Sequence, residues 1–303
     1  MVVGHMRAYG TRVTAGVTPG KAGTFVEDVP VFDTLRQAAG ALGLARFDAS
    51  IVYVPPLAAL DAVAEAVECG VRFLLVVTEN IPAHDCMRML QLAERAGVTL
   101  VGPNSVGVIS PRARLKLGPI GGDRPERAFV PGRIGIISRS GGMTSELGLQ
   151  LKRAGLGVST AVSVGGDAML GMPPAAVLAG FEQDPETDAV VMFGEPGTAF
   201  EEEAARLVEA GGFTKPLVAY VAGRFTEQMP EGTVFGHAGA IIERGRGKPT
   251  DKMQALRRAG AYVAERFDDV VPLLQQALAR IHPAAGGTVP RATGALAAGG
   301  GEG

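Results

Sequence analysis

Short apolar runs alternate along the chain with longer segments in which apolar residues recur every three to four positions. The runs predict buried strands and the periodic segments predict amphipathic helices, an alternation typical of a parallel, doubly wound α/β sheet with right-handed crossovers. In the first half, strands are predicted at 12–15, 49–54, 73–78 and 99–101, and helices at 34–42, 57–69 and 83–96. In the second half, strands are predicted at 133–138, 157–163, 189–194 and 216–222, with a helix at 145–154.

Changes in composition divide this pattern into parts. Residues 117–133 are rich in glycine, proline and charge and are interpreted as a linker, and 283–303 are rich in alanine, glycine and proline and are expected to be disordered. A chain of 303 residues has room for two domains of ordinary size. We therefore expect one domain at 1–122, a second at 131–282 and a tail at 283–303.

Charge and cysteine content exclude several classes of protein. The formal net charge of −2, without a basic cluster, argues against a nucleic-acid surface. No apolar run has membrane-spanning length, and the first residues lack the pattern of a secretory signal. The two cysteines, Cys69 and Cys86, suit a reducing compartment and provide neither a disulfide framework nor a metal site. We expect a soluble cytoplasmic protein with no nucleic-acid or membrane partner and no bound metal of its own.

One histidine is set among small residues after a predicted strand. His237 lies in Gly236-His237-Ala238-Gly239-Ala240, and the polar segment 224–234 brings the chain to it over the carboxyl end of the strand at 216–222. Ligands collect at that edge of open α/β sheets, and a neutral imidazole is nucleophilic at cell pH. By itself, the pattern also fits a histidine that caps a helix or packs in the core.

A glutamate at a second strand end could serve such a histidine. Glu195 follows a buried apolar strand and could accept a hydrogen bond from His237, which would fix the tautomer of the imidazole. It could instead cap the next helix. The following run, Glu201-Glu202-Glu203, is interpreted as a solvated first helical turn without chemistry.

Two glycine-containing turns at other strand ends are candidate ligand contacts. Ser140-Gly141-Gly142 stands at the start of a predicted helix, where backbone N–H groups and the helix dipole favour an anion. The serine could also simply cap the helix. Gly165-Gly166-Asp167 ends a further strand, and its glycines would allow the backbone to approach a ligand, as would an ordinary turn.

Taken together, these motifs resemble the alpha subunit of succinyl-CoA synthetase and its relatives, from about residue 5 to residue 278. The motifs occur in the order and at the spacing typical of that family. They are Gly16-Val17-Thr18-Pro19-Gly20-Lys21, Gly102-Pro103-Asn104, Ser138-Arg139-Ser140-Gly141, Gly165-Gly166-Asp167, Gly194-Glu195 and Gly236-His237-Ala238-Gly239-Ala240.

The resemblance implies a Rossmann-like CoA-binding domain followed by a flavodoxin-like ligase domain. It further implies a separate ATP-grasp beta subunit, which would bind ATP or GTP with Mg²⁺. His237 would be phosphorylated, the phosphoryl group would pass to a carboxylate, and CoA would displace phosphate from the acyl phosphate. Glu195 would orient His237, the turn at Ser140, Gly141 and Gly142 would hold the phosphoryl group, and segment 224–234 would let the histidine swing.

The resemblance also assigns contacts for coenzyme A and the acid. Expected CoA contacts lie at three strand ends: Pro19, Lys21, Tyr53, Pro55, Glu79 and Asn80. For Lys21, a plain surface lysine is an equal alternative. Asn104, Ser105 and Gly166 are expected near the acyl end of the site.

Four departures from the family pattern affect these expectations. The family's first strand and glycine-rich CoA-phosphate loop are absent from this sequence, which we interpret as a late start or a truncated chain, with unpaired strand edges as the result. Ser105-Val106-Gly107 replaces Cys-Pro-Gly, the loop at 166–171 contains fewer prolines, and Ser140-Gly141-Gly142-Met143 is more similar to ATP-citrate lyase and citryl-CoA synthetase. The expected acid is therefore succinate, with a role in the tricarboxylic acid cycle, or malate or citrate.

Two alternative functions stay open on the sequence alone. The chain could be a CoA- or acyl-CoA-binding relative that has lost turnover, which the missing glycine-rich loop favours and the presence of His237, Glu195 and Ser140 opposes. It could also belong to the ADP-forming acetyl-CoA synthetase type, which combines the same parts in a different arrangement.

Overall fold

The computed structural model describes residues 2–230, 233, 236, 237, 239–242 and 246–281. The expected tail at 283–303 lies outside these residues, as do Glu231, Gly232 and Val234 of the segment expected to move with His237. The described part of that segment begins with a 3-10 turn at Arg224–Gln228. Within the described residues, no helix has both the length and the apolar character needed to cross a membrane.

The N-terminal part contains two three-stranded sheets with helices between the strands. In chain order its elements are α1 Val2–Tyr9, β1 Gly16–Val17, β2 Phe25–Val26, β3 Val29–Phe32, α2 Leu35–Leu42, β4 Ala49–Val52, α3 Ala59–Glu68, β5 Phe73–Val76, α4 Ala83–Arg95 and β6 Thr99–Val101. Strands β4, β5 and β6 form a parallel sheet, and β1, β3 and β2 form a second sheet in that order. Strands β1 and β4 therefore both stand at an edge of their sheets.

Local sequence explains most of these helices, but one predicted strand is wrong. Thr34 caps α2 by accepting a hydrogen bond from the Gln37 N–H, and Gly43 ends the helix in the left-handed region. The strand predicted at 12–15 forms instead at Gly16–Val17. Only Gly16 and Val17 pair with β3, at Val31 and Phe32, so the partner strand rather than β propensity sets its position.

The C-terminal part is built on one seven-stranded sheet. Its elements are β7 Gly107–Ser110, β8 Leu115–Leu117, β9 Pro131–Ser138, α5 Gly141–Arg153, β10 Val158–Ser163, α6 Pro174–Gln183, β11 Ala189–Gly194, α7 Phe200–Glu209, β12 Leu217–Val221, α8 Pro249–Arg258, β13 Tyr262–Ala264 and α9 Val270–Ile281. The strand order is β13-β12-β11-β9-β10-β7-β8. All neighbours are parallel except along the β7–β8 hairpin, which lies antiparallel at the β10 edge.

Helices cover both faces of this sheet, which confirms the predicted doubly wound α/β fold. Along β11, Val190 and Met192 pack into one core cluster, with residues of α6, α7 and α8. Val191 and Phe193 point to the other face and pack into a second cluster, with residues of α5 and α9. Because both faces are buried, the strands read as continuous apolar runs.

The hairpin and the following chain depart from the predicted linker. The β7–β8 hairpin lies inside the range 1–122 expected for the first domain, yet it hydrogen-bonds to β10 of the second sheet. Within 117–133, Ile120 and Phe129 are only 1% exposed and belong to the core beneath α5. Residues 117–133 are therefore a packed crossing between the two parts of the chain, and the domain bounds stay predictions.

Helix α5 also starts earlier than predicted. It begins at Gly141 rather than near residue 145, because Ser140 is its N-cap and the Met143 N–H points to the Ser140 Oγ at 3.5 Å. The first helical turn therefore includes both glycines of the candidate turn. This moves the helix N-terminus to the carboxyl end of β9, where the candidate site lies.

Candidate functional site

His237 and Glu195 are in direct contact at the carboxyl ends of the central strands. The His237 Nδ1 lies 2.8 Å from the Glu195 Oε2, and the two side chains are 30% and 11% exposed. An ionised carboxylate can only accept, so Nδ1–H donates and the lone pair of the neutral ring is on Nε2. The expected contact is thus present. The catalytic roles of the two residues stay predictions.

Glu195 also changes the titration of the imidazole. The hydrogen bond that His237 donates to Glu195 raises the pKa of His237 above its usual value, against the opposing effect of partial burial. The charge of Glu195 raises the pKa further and Asp167 adds to this, whereas the nearby guanidinium of Arg139 lowers it. The site therefore favours an imidazolium more than free histidine does.

Gly166 forms the surface on which the His237 ring rests. A Cβ atom at Gly166 would lie 2.5 Å from the His237 Cγ and 2.7 Å from its Nδ1, which no side chain tolerates. The Gly239 N–H donates to the Gly166 carbonyl at 3.1 Å, which fixes the segment after the histidine to the same loop. Gly166, expected near the acyl end of the site, is thus in contact with the histidine itself.

The N-terminus of α5 stands at an adjacent strand end. Ser138, the last residue of β9, pairs with Phe193 of β11 and with Ser163 of β10. The Ser140 N–H donates to the Ser138 Oγ at 3.1 Å, and the Ser138 hydroxyl donates to the Ser140 carbonyl at 2.7 Å. Gly142 is exposed and a Cβ there would meet open space, so the first turn of α5 is accessible to an anion.

Beneath the pair lies a buried charged cluster that the sequence interpretation missed. It consists of Arg139, Glu201 and Lys252, whose side chains are 0% exposed. The interpretation of Glu201 as solvated is wrong, because Lys252 forms an ion pair with it and the Glu195 N–H donates to its Oε1 at 3.0 Å. Glu202 is also partly buried, 3.5 Å from the Lys252 Nζ, and only Glu203 is substantially exposed.

A periodicity in the sequence could have indicated this cluster. Glu201 precedes Ala204 and Ala205 by three and four positions, and Lys252 precedes Leu256 by four. Each charge therefore lies on the apolar, core-facing side of its helix. Burial raises the pKa of Glu201, but Lys252 and Arg139 outweigh this and hold it below its usual value.

The loop after β6 joins the N-terminal sheet to this site. The Asn104 amide donates to the Asp167 Oδ1 at 3.2 Å, while the Asn104 N–H donates to the Thr78 carbonyl at 3.0 Å. Burial raises the pKa of Asp167 above its usual value, against the effect of the Asn104 hydrogen bond. Asn104 therefore links the sheet of β5 to the loop of Asp167, the residue that follows the glycine under His237.

Ser105, the next residue, is turned away from solvent. It is 1% exposed, its hydroxyl donates to the Ser163 carbonyl, and the Gly107 N–H donates to its Oγ at 3.0 Å. Any influence of Ser105 on the acid would thus act through the shape of the loop.

The six expected CoA contacts are all exposed and lie at two separate sheets. Tyr53 and Pro55 follow β4, and Glu79 and Asn80 follow β5, so these four share the edge of the sheet that Asn104 also occupies. Pro19 and Lys21 follow β1 in the other sheet, and the Lys21 N–H donates to the Asp33 Oδ1 at 3.1 Å. The roles of these six residues in CoA binding stay predictions. Among the described residues, no group of histidine, cysteine or carboxylate side chains is arranged to hold a metal ion.

Comparison with known proteins extends over both parts of the chain. Residues 1–80 match the CoA binding domain family, and residues 131–277 match the succinyl-CoA ligase like flavodoxin domain family. The chain is 44% identical to the succinate–CoA ligase [ADP-forming] subunit alpha 2 of Archaeoglobus fulgidus over 274 residues, which are 90% of this chain and 91% of that one.

Other relatives act on different acids. The chain is 42% identical over 275 residues to the ADP-forming sulfoacetate-CoA ligase subunit SqwL of an Acholeplasma species, covering 90% of this chain and 89% of the relative. It is 40% identical over 264 residues to the malate–CoA ligase subunit alpha of Methylorubrum extorquens, covering 86% and 85%.

A solved structure shares the fold. The ATP citrate lyase of Methanosaeta concilii, a D541A mutant in complex with (3S)-citryl-CoA, superposes with a TM-score of 0.78 at 28% identity. The match covers 84% of this chain but only 41% of that chain, so the present chain corresponds to about two fifths of the larger protein.

Proposed function

The chain belongs to the family of succinate–CoA ligase alpha subunits and is a subunit of an acid–thiol ligase, and we propose that His237 carries the phosphoryl group in its reaction. The observation that carries this proposal is the His237–Glu195 hydrogen bond of 2.8 Å at the strand ends. The bond leaves Nε2 as the reactive nitrogen, and the accessible first turn of α5 lies at a neighbouring strand end.

In the first step, the Nε2 lone pair attacks the terminal phosphoryl group of ATP or GTP. The bond from phosphorus to the bridging oxygen breaks, the N–P bond forms and the nucleoside diphosphate leaves. A partner subunit of the ATP-grasp type would present the nucleotide with its Mg²⁺. Glu195 supports the step because it keeps the proton on Nδ1 and stabilises the positive charge that develops on the ring.

In the next steps, the phosphoryl group passes to the acid and then leaves as phosphate. A carboxylate oxygen of the acid attacks phosphorus, the N–P bond breaks and an acyl phosphate forms. The CoA sulfur then attacks the acyl carbon, the bond from that carbon to the phosphate oxygen breaks and the thiol proton is released. In the turn at Ser140, Gly141 and Gly142, the backbone N–H groups of the two glycines would hold the phosphoryl group between these steps, since the Ser140 N–H already donates to the Ser138 Oγ.

The junction between the two sheets supports the assignment of CoA and acid sites. Tyr53, Pro55, Glu79 and Asn80 lie at the same sheet edge as Asn104, whose amide reaches Asp167 beside the histidine loop. A cofactor along that edge would bring its thiol towards His237. We propose that the acid lies near Asn104 and Gly166, with Ser105 acting through the shape of the loop, and that it is a small carboxylate such as succinate, malate, sulfoacetate or citrate.

Reconstitution with the partner subunit tests this function. The full chain is purified with its ATP-grasp partner and supplied with ATP, Mg²⁺, CoA and each of the four acids in turn, and CoA thioester and ADP are measured. We expect stoichiometric thioester and ADP with at least one acid. His237→Asn should lower the rate by at least about 10³-fold, because it removes the nucleophile.

His84→Asn is the matched control, since the His84 side chain is 75% exposed and is not among the predicted contact residues. It should leave the rate unchanged. If no acid gives thioester although the complex binds CoA and nucleotide, the non-catalytic CoA-binding relative becomes the better account.

A further inference from the structure

The charged cluster beneath the site is shut off from solvent. The Glu201 Oε2 of α7 forms an ion pair with the Lys252 Nζ of α8. The Glu201 Oε1 lies 3.9 Å from the Arg139 Nη1. All three side chains are 0% exposed. These charges thus connect the turn after β9, helix α7 after β11 and helix α8 after β12.

The cluster contacts the backbone on both sides of the His237–Glu195 pair. Glu201 accepts from the Glu195 N–H at 3.0 Å, and the Arg139 Nη1 donates to the Pro196 carbonyl at 3.2 Å. A Cβ atom at Gly239 would lie 2.6 Å from the Arg139 Nη2, so the guanidinium touches the chain two residues after His237. The cluster therefore contacts both the backbone that carries Glu195 and the backbone that follows His237.

Stability alone does not account for this arrangement. Charges buried without water carry a large desolvation cost, and well-packed apolar residues in their place often stabilise a protein at least as well. The Arg139 Nε and Nη2 are buried without a hydrogen-bond partner, which adds to that cost. What the cluster provides is directional contact with the Glu195 N–H and the Pro196 carbonyl, which apolar side chains cannot supply.

We propose that Arg139, Glu201 and Lys252 are positioning residues that fix the Glu195 carboxylate against the His237 Nδ1. The inference rests on the proposed function in one respect, which is that His237 and Glu195 are taken to be the pair that transfers the phosphoryl group. Lys252 acts indirectly, because its ammonium group is paired with Glu201 and Glu202. Without that ammonium group, Glu201 is protonated or turns towards Arg139, and its hold on the Glu195 N–H weakens.

The variant Lys252→Met tests the proposal through the titration of His237. In the full chain with labelled histidine, NMR follows the four imidazoles against pH, and His237→Asn assigns the signal. The charged groups facing His237 are Glu195, Asp167 and Arg139. Loss of the Glu195 hydrogen bond lowers the His237 pKa towards the ordinary value of about 6.5, whereas loss of a nearby positive charge raises it. A fall therefore reports altered geometry and cannot arise from the missing lysine charge.

Lys116→Met is the matched control. Lys116 is also 0% exposed, but it lies in the β7–β8 hairpin, where its Nζ donates to the Gly122 carbonyl. We expect it to leave the His237 pKa as in the native chain even if it lowers stability. The Lys252 variant should also slow His237 phosphorylation in the complex by about 10-fold to 100-fold, the usual effect of a misplaced catalytic group.

Two double variants keep the test decisive if an unpaired Glu201 prevents folding. Glu201→Gln with Lys252→Met removes both charges but keeps an acceptor for the Glu195 N–H, so the His237 pKa should stay near the native value. Glu201→Leu with Lys252→Met removes the acceptor as well, so the pKa should fall. If the pKa is unchanged or rises in Lys252→Met, or is equal in the two double variants, the positioning role is overturned. The titration needs neither nucleotide nor partner, so this failure is distinct from an absence of phosphorylation in the native complex.

Discussion

At the scale of single residues, the site depends on how closely the imidazole is enclosed. Glu195 fixes Nδ1, Gly166 forms the surface under the ring, and Gly239 ties the following segment to the Gly166 carbonyl. This leaves Nε2 as the atom for chemistry. The pairing of His237 with Glu195 could be predicted from the sequence, because both residues follow buried strands that end at one sheet edge.

The buried charges could not be predicted in the same way. A run of three glutamates at a helix start normally faces solvent and favours the helix dipole. Glu201 is buried only because Lys252, about 50 positions later in the chain, and Arg139, about 60 positions earlier, supply the opposite charges. The helical periodicity indicates that Glu201 and Lys252 each face the core, but it does not reveal that they pair with each other and with Arg139, because that long-range pairing depends on the fold.

Replacement of Glu195 should change the pH dependence of the site. An imidazole reacts through an unprotonated Nε2, so the native phosphorylation rate should rise with pH through the raised pKa of His237. Glu195→Gln removes the charged acceptor, so the midpoint should move to lower pH, towards about 6.5. The maximal rate should fall by about 100-fold, since the ring loses its orientation and charge stabilisation. The measurement is the phosphorylation rate from about pH 5.5 to about pH 9.

Glu203→Gln is the control for that series, because Glu203 is 41% exposed and pairs only loosely with Arg206. Its profile should match the native one. An unchanged midpoint in Glu195→Gln would contradict the assigned role of Glu195.

At the scale of elements, the alternation of strands and helices was predictable and the edges of the sheets were not. Central strands such as β11 are apolar throughout because both of their faces are buried, so they stand out in the sequence. The β7–β8 hairpin is short and is defined by its pairing with β10. The sequence pattern therefore does not predict its strands, and its residues fall within the range predicted for the first domain. The strand predicted at 12–15 failed for the related reason that β3 pairs only with Gly16 and Val17.

The hairpin should be sensitive to a single methyl group at its first residue. Gly107 has a φ of 117°, and a Cβ there would overlap the Leu117 carbonyl of the paired strand. Gly107→Ala should therefore lower the free energy of unfolding by about 3 kcal/mol, as measured by urea denaturation.

Gly180→Ala is the matched substitution in α6, where a Cβ meets nothing within 4 Å. It should stabilise the protein by about 0.5–1 kcal/mol. Equal effects of the two substitutions would contradict the packing described for the hairpin.

At the scale of the whole molecule, the chain places the sheet edge proposed for CoA near the histidine proposed to carry the phosphoryl group. Asn104 crosses between them, bound to Thr78 on one side and to Asp167 on the other. The motifs predicted the family and the order of its two parts because they recur at strand ends with regular spacing. The identity of the acid is not contained in them, because relatives of 40–44% identity act on succinate, sulfoacetate and malate.

The central claim is that His237 carries the phosphoryl group, and labelling tests it most directly. The full chain is purified with its ATP-grasp partner and incubated with ATP labelled in the terminal phosphate, beside His237→Asn and the His84→Asn control. We predict acid-labile, base-stable phosphate on the native and His84→Asn chains only, released by CoA together with an acid that the enzyme uses. If the native chain stays unlabelled while its partner binds nucleotide, the phosphohistidine mechanism is contradicted.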